Sequence, residues 1–321
     1  MIVYKLHFTS PLHLSAGYEG YEQIFHYLHS DTLFSAILSN WSHFYDDIIE
    51  SLAQNLPFQV SSAFPFSANQ YYFPKPLKQL PVRINENDYR IIKKLRKVNF
   101  IEKELFEKII HEETVGIEQI HFSASRQFLS LKQDVSDCFA EREISRNVID
   151  RISGCTDIFH FAEIIFKEDS GLFFMVFFKD QNMRKKFETV LRFLGDEGIG
   201  GDRNVGKGLF EVESIENFNL RQPQNAASIL NLSLYHPIRE EINNHLLENS
   251  AYDMITRKGW ITAPGYRNLR KKSINMFREG SIFSNLNKDD YGDIPVVAEK
   301  TQDLIDFNVY RYGKGFVIQC R

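Results

Sequence analysis

A chain of 321 residues, 43% hydrophobic and 25% charged, is too long for one small core and too apolar for disorder, so two domains are expected. Its net charge of −4 excludes a protein that coats nucleic acid through bulk charge, and any such site must be a local patch. Residues 2–14 open as a strand, with Tyr4, Leu6 and Phe8 on one face and Lys5 and His7 on the other. This alternation is unlike a signal peptide. After a turn around Gly17 and Gly20, Ser30 or Asp31 can cap a helix whose Leu33, Phe34, Ile37, Leu38, Trp41, Phe44 and Tyr45 form one broad apolar face. Residues 57–76, rich in aromatics and proline, suit strand edges or a rigid hairpin.

Residues 91–110 read as an inserted, charged surface helix, 121–131 as extended, and 145–153 as a polar, cation-bearing loop. The apolar run 171–179 reads as a strand buried on both faces. It is too short to span a bilayer, and no membrane association is expected. A helix over 183–194, a glycine-rich loop and a strand over 209–215 complete the order β-α-β-β-α-β, a ferredoxin-like arrangement with the loop between second helix and fourth strand. A break follows at 219–224. The remainder carries further strand-like runs and a short helical segment around 238–247, read as a smaller α+β domain, with a degenerate copy of the first as one reading of it. The fold class expected is therefore α+β, with domains at 1–222 and 223–321. Cys138, Cys155 and Cys320 are odd in number and lack metal-like spacing, which suits a reduced cytoplasmic compartment.

The loop at 198–208 reads Gly-Ile-Gly-Gly-Asp-Arg-Asn-Val-Gly-Lys-Gly. Gly198, Gly200, Gly201, Gly206 and Gly208 would let backbone amides approach a ligand closely. Arg203 and Lys207, with Asn204 between them, suggest that the ligand carries phosphate. Gly201 to Lys207 satisfies G-x-x-x-x-G-K, yet Gly208 stands where a P-loop needs Ser or Thr, and the helix precedes the loop instead of following it. A flexible connection with a glycine cap at Gly195 would explain one or two glycines, but not five with cations between them. A second patch spans 254–278, with Arg257, Lys258, Arg267, Arg270, Lys271, Lys272 and Arg278, no acidic residue, and Trp260 and Tyr266 among the cations. Cations with interleaved aromatics suit single-stranded nucleic acid; a solvated strand face is the alternative.

Several motifs together resemble a known family. They are Ser10-Pro11-Leu12-His13-Leu14, the stretch from Ser30 to Ala36, Phe64-Pro65-Phe66, Phe73-Pro74-Lys75-Pro76, Arg146-Asn147-Val148-Ile149-Asp150-Arg151 and the glycine loop. Arg257-Lys258-Gly259-Trp260, Glu279-Gly280-Ser281 and the run from Val309 to Lys314 complete the set. Over nearly the whole chain they resemble the fourth subunit of the Csm complex, a RAMP protein of type III-A CRISPR interference. The resemblance implies two ferredoxin-like domains forming a non-catalytic scaffold without cofactor. It also implies binding of the single-stranded, repeat-derived 5′ tag of CRISPR RNA, anchoring of the large polymerase-type subunit, and contact with the first backbone RAMP subunit. The five loop glycines would be its RNA-contacting loop, with Arg203 and Lys207 read as phosphate contacts. Arg146, Asn147 and Arg151 match a motif of its insertion. Arg257, Lys258, Lys271 and Lys272 from the basic patch are the remaining candidates.

Some RAMP proteins cut RNA with a histidine, so a metal-independent endoribonuclease acting on repeat RNA is the alternative, with His13, His26 and His29 as candidates. Asp31 and Asp150 read as a helix cap and a loop anchor, not as metal ligands.

Overall fold

The computed structural model describes residues 1–15, 24–45, 49–84, 89–261, 269–301 and 305–321. The turn around Gly17 and Gly20, together with Tyr266 and Arg267, lies outside them. In chain order the larger part holds β1 (Ile2–Phe8), α1 (Ser30–Trp41), β2 (Phe58–Val60), β3 (Phe64–Ser67), β4 (Gln70–Pro74) and α2 (Tyr89–Lys97). Next come β5 (Phe100–Glu102), α3 (Lys103–Ile110), β6 (His121–Phe122), β7 (Phe128–Ser130), β8 (Phe139–Ile149) and β9 (Thr156–Phe166). β10 (Ser170–Phe178), α4 (Met183–Glu197) and β11 (Phe210–Ile215) close it. The protein is mixed α+β and dominated by sheet.

The main sheet runs β11-β1-β10-β3-β4-β5-β7-β6, and β2 also pairs with β10. β1 lies between β10 and β11, antiparallel to both, with Tyr4 opposite Phe174 and Lys5 opposite Glu213. β10 is apolar throughout because both faces are covered. Leu172, Phe174 and Val176 join Phe34, Ile37 and Trp41 of α1 and Phe187 and Leu191 of α4. Phe173 and Met175 join Phe64, Phe66, Phe73, Leu105 and Phe106 on the opposite side. Each fully buried side chain of this size contributes about 1.5–3 kcal/mol. The second face explains Lys5, expected on a polar face but buried: its Nζ donates to the Ala68 carbonyl at 3.1 Å and sits 4.9 Å from the Phe66 ring centroid.

Three local expectations are corrected. Residues 91–110 form two helices, because Phe100 and Ile101 enter the sheet as β5, between β4 and β7; α2 stays on the surface, while α3 buries Leu105, Phe106, Ile109 and Ile110. Residues 145–153 are no loop: β8 and β9 pair over their whole length, which puts Arg146 and Asn147 on a strand and Arg151 in the turn beyond it. Much of this ribbon is solvated, so its strands lack an apolar alternation to reveal them. Asp150 does anchor that turn, accepting from the Ile152 amide at 2.7 Å. Asp31 does not cap α1; His29 holds the N-cap position without a side-chain bond, and Asp31 is buried in the first turn of the helix.

The C-terminal part contains β12 (Ser228–Asn231), α5 (Arg239–Asn243), β13 (Met254–Arg257), β14 (Ile274–Phe277), β15 (Ile282–Ser284), β16 (Val296–Ala298), β17 (Val309–Tyr310) and β18 (Val317–Cys320). β12 lies between β15 and β18, and β13-β14 and β16-β17 are separate pairs. Among the described residues its one helix is five residues long. Leu230, Leu232 and Ile318 pack in the same cluster as Phe173 and Met175, so the two parts share a core.

Candidate nucleic-acid interface

The glycine loop leaves α4 through Gly198, whose N–H donates to the Leu194 carbonyl at 2.8 Å with φ at +80°. It then folds against the Pro11–His13 segment: the Gly201 amide donates to the His13 carbonyl and the Gly208 amide to the Pro11 carbonyl, both at 2.9 Å. A Cβ at Gly208 would stand 1.9 Å from the Ile199 carbonyl oxygen, and one at Gly200 would stand 2.4 Å from that of His13. Those glycines serve the loop's own packing. Gly206 differs, since a Cβ there meets nothing within 4 Å, although its φ is +77°.

The tip, Arg203 to Val205, is a 3-10 turn between two left-handed residues, Asp202 and Gly206. The amides of Gly200, Asp202, Arg203 and Asn204 have no protein acceptor among the described residues. Those of Asp202, Arg203 and Asn204 are consecutive, and consecutive free amides at a turn with a left-handed residue form a concave anion site. Arg203 is exposed and has no ion-pair partner among the described residues.

Two expected phosphate contacts are engaged within the protein. Lys207 pairs with Glu163, a carboxylate with 0% side-chain exposure that Arg142 also holds. Burial alone would raise the Glu163 pKa; Lys207 and Arg142 outweigh it and hold the group below the usual range. Arg146 pairs with Asp202, and its guanidinium lies 4.4 Å from the Phe161 ring centroid. These contacts fasten the loop to the β8-β9 hairpin. Asn147 and Arg151 are exposed farther out on the hairpin and do not line the cleft beside the loop.

That cleft has a volume of about 380 Å³. One wall is Gly198 to Gly201 with Arg203, the floor includes His13 and α1 residues Thr32, Ser35 and Ser39, and Arg257, Lys258, Lys271 and Arg311 stand in the same lining. Five cations therefore face one carboxylate, Asp31, in a chain of net charge −4. Arg257 grips Asp31 through both oxygens at 3.0 Å, and Arg311 adds a further bond. Burial pushes the Asp31 pKa up, but the two guanidinium groups override it and hold the carboxyl well below the usual range. Burial, with Arg311 nearby, lowers the pKa of Lys271.

Lys272 is turned away and pairs with Glu299 at 2.6 Å. Arg278 pairs with Asp253 at 3.1 Å, and the guanidinium of Arg270 lies 4.5 Å from the Trp260 ring centroid. Sequence reasoning missed Arg311 as a lining residue; its only signal was its place within the run from Val309 to Lys314.

The histidines are also held. His13 Nδ1 donates to the Ala162 carbonyl at 2.6 Å and its ring stacks on Phe161. His29 Nδ1 donates to Glu279 at 2.8 Å, where Ser62 and Tyr27 also donate. His26 pairs with Glu141 at the surface. Among the described residues no cluster of His, Cys, Asp and Glu could hold a metal ion, and no helix is long and apolar enough to cross a membrane.

The profile of the RAMP superfamily matches residues 5–211 and that of the CRISPR Csm4 C-terminal domain matches residues 224–320. The chain belongs to the RAMP superfamily, and its C-terminal part is similar to the Csm4 C-terminal domain. Curated relatives include a CRISPR system Cms protein Csm4 of Thermococcus onnurineus (strain NA1), 27% identical over 299 residues and 89% of each chain. The counterpart from Methanocaldococcus jannaschii is 22% identical, covering 99% of this chain and 96% of its own. Among solved structures, a chain of the Csm3-Csm4 subcomplex of a type III-A CRISPR-Cas interference complex superposes with a TM-score of 0.67 at 19% identity, over 100% of both chains. One of a Csm1-Csm4 cassette with pppApA gives 0.61 at 22% identity, over 100% of this chain and 97% of that one.

Proposed function

We propose that this protein is a non-catalytic, RNA-binding subunit of a type III-A Csm effector, holding the single-stranded, repeat-derived 5′ tag of CRISPR RNA in the cleft beside the glycine loop. The convergence of the loop's four free amides with Arg203, Lys258, Lys271, Arg257 and Arg311 carries this reading. A phosphate lying over the tip meets amide dipoles and a guanidinium together, and the neighbouring phosphates meet the C-terminal cations. In this reading Lys207 and Arg146 position the loop instead of touching RNA. Relatives are solved with Csm3 and with Csm1, and the partners proposed are their counterparts: the backbone RAMP subunit and the large polymerase-type subunit. The site of action is the cytoplasm.

The division into 1–222 and 223–321 belongs to the same proposal. The strand order β11-β1-β10-β2, with α1 and α4 packed on one face, supports a ferredoxin-like first domain. The second domain is its smaller, reduced counterpart. The alternative, a metal-independent endoribonuclease, draws on His13 and His29, which both line the cleft. One experiment separates the two: incubation with end-labelled repeat RNA. The scaffold retains the RNA uncut, and retention falls in Arg203→Ala/Lys258→Ala. Site-specific cleavage abolished by His13→Ala or His29→Ala overturns the reading.

A further inference from the structure

The surface helix α2 reads Tyr-Arg-Ile-Ile-Lys-Lys-Leu-Arg-Lys, which puts Arg90, Lys93, Lys94, Arg96 and Lys97, five cations, in nine residues without an acid. Glu86 and Asp88 precede it, outside the described residues. Several other surface cations have carboxylate partners: Lys78 pairs with Glu112, Arg221 with Glu113 and Lys272 with Glu299. None of the five on α2 has an ion-pair partner among the described residues. Like charges three and four residues apart repel along a helix, so this arrangement costs stability until a counter-charge arrives. Tyr89 opens the helix with 73% exposure.

The helix also ends at a cleft. A space of about 320 Å³ is lined by Phe25, Tyr27, Lys75, Asn99 and Arg278, among others. Lys75 Nζ donates to the carbonyls of Leu95 at 3.1 Å and Arg96 at 3.5 Å, which ties the end of α2 to the cleft wall. Phe25 and Tyr27 line both this space and the glycine-loop cleft, so the two clefts flank one segment.

We infer that α2 and this second cleft form a further binding site for single-stranded nucleic acid, separate from the glycine-loop cleft. The cations track phosphates, Tyr89 offers its ring to a base, and the aromatic-lined cleft receives the strand as it leaves the helix. An anionic bilayer fits less well. Leu95 packs into the protein core, and among the aliphatic side chains of α2 only Ile92 is classed as exposed, too little apolar surface to enter a headgroup layer. An acidic protein surface would answer the charges but makes no use of an exposed tyrosine at one end of the helix or of an aromatic cleft at the other.

The test uses the full chain, fluorescein-labelled 20-nucleotide oligouridylate, and anisotropy across a salt series. Lys93→Ala/Lys94→Ala/Lys97→Ala, folded by circular dichroism, flattens the log K against log salt slope by about 2, since each single-strand phosphate contact contributes about 0.7. Should that variant fail to fold, the Lys→Gln triple replaces it. Tyr89→Ala weakens oligouridylate about fivefold or more and leaves binding of a 20-residue oligoglutamate unchanged. Both effects persist in the Arg203→Ala/Lys258→Ala background, so failure of the tag-binding reading and failure of this one are told apart. An unchanged slope in the triple variant overturns the inference. Oligoglutamate binding as tightly as oligouridylate overturns it in favour of an acidic protein. Phosphatidylglycerol vesicle binding that the triple variant abolishes, with oligouridylate binding intact, overturns it in favour of a membrane surface.

Discussion

Arg203→Ala and Lys207→Ala each remove one cation from the same loop, and they are expected to act on different quantities. Arg203 is exposed and unpaired among the described residues, so its loss changes stability by no more than about 0.5 kcal/mol. If its guanidinium meets a phosphate, RNA affinity falls by about 1.5–3 kcal/mol, roughly tenfold or more. Lys207 is the reverse case, with 13% side-chain exposure against a fully buried Glu163. Orphaning a buried partner costs about 3–5 kcal/mol, but Arg142, half exposed, still holds Glu163, so about 1–3 kcal/mol is the expected loss. The sign with pH follows from the depressed Glu163 pKa. Its contribution is fully present above the unfolded carboxylate pKa of about 4.3 and is lost as pH falls through the lower folded value. The Lys207→Ala deficit is therefore largest near neutrality and shrinks in acid. Urea unfolding followed by tryptophan fluorescence reads stability, and anisotropy with labelled repeat RNA reads affinity. A Lys207→Ala protein of unchanged stability whose RNA affinity falls as far as that of Arg203→Ala would refute this division of roles.

Other outcomes are expected from the same geometry. Asp31→Asn leaves Arg257 and Arg311 without their carboxylate and destabilises by about 3–5 kcal/mol in urea unfolding; a change below about 1 kcal/mol contradicts the buried triad. Gly208→Ala, with backbone oxygen 1.9 Å from the new Cβ, costs more than Gly206→Ala, where only the left-handed φ of +77° opposes the side chain, at about 1–2 kcal/mol. Equal thermal shifts for the two contradict that ranking. Because burial holds the Lys271 pKa below the ordinary lysine range, RNA affinity should decline as pH rises through that lowered value. Lys271→Arg should remove the decline in an anisotropy series, and a decline that persists in the variant counts against Lys271 as its source.

The parts of the fold that were legible in the sequence are those where one face decides everything. The spacing of Leu33, Phe34, Ile37, Leu38 and Trp41 marked α1, and the unbroken run through β10 marked a strand covered on both sides. The glycine loop lies between α4 and β11, and the P-loop reading fails on that order together with Gly208 standing where Ser or Thr is needed. What was not legible depends on contacts between residues far apart in the chain. Nothing near Lys207 announces Glu163, and nothing near Asp31 announces Arg257 or Arg311, so a paired cation and a free one look alike in sequence. The basic stretch near residue 260 was visible by composition, yet the backbone ahead of β14 turns Lys271 into the cleft and Lys272 out of it. The β8-β9 ribbon was hidden because solvent around its outer part removes the alternation that betrays a strand, and β5 because two short helices flank it.

The central claim is that the cleft beside the glycine loop holds RNA of defined origin. Sequencing the RNA that copurifies with this subunit and its neighbours tests it most directly. Fragments sharing one repeat-derived 5′ end, depleted when Arg203, Lys258 and Lys271 are replaced by alanine, are the expected result. Heterogeneous 5′ ends, or undiminished RNA content in that triple variant, would contradict it.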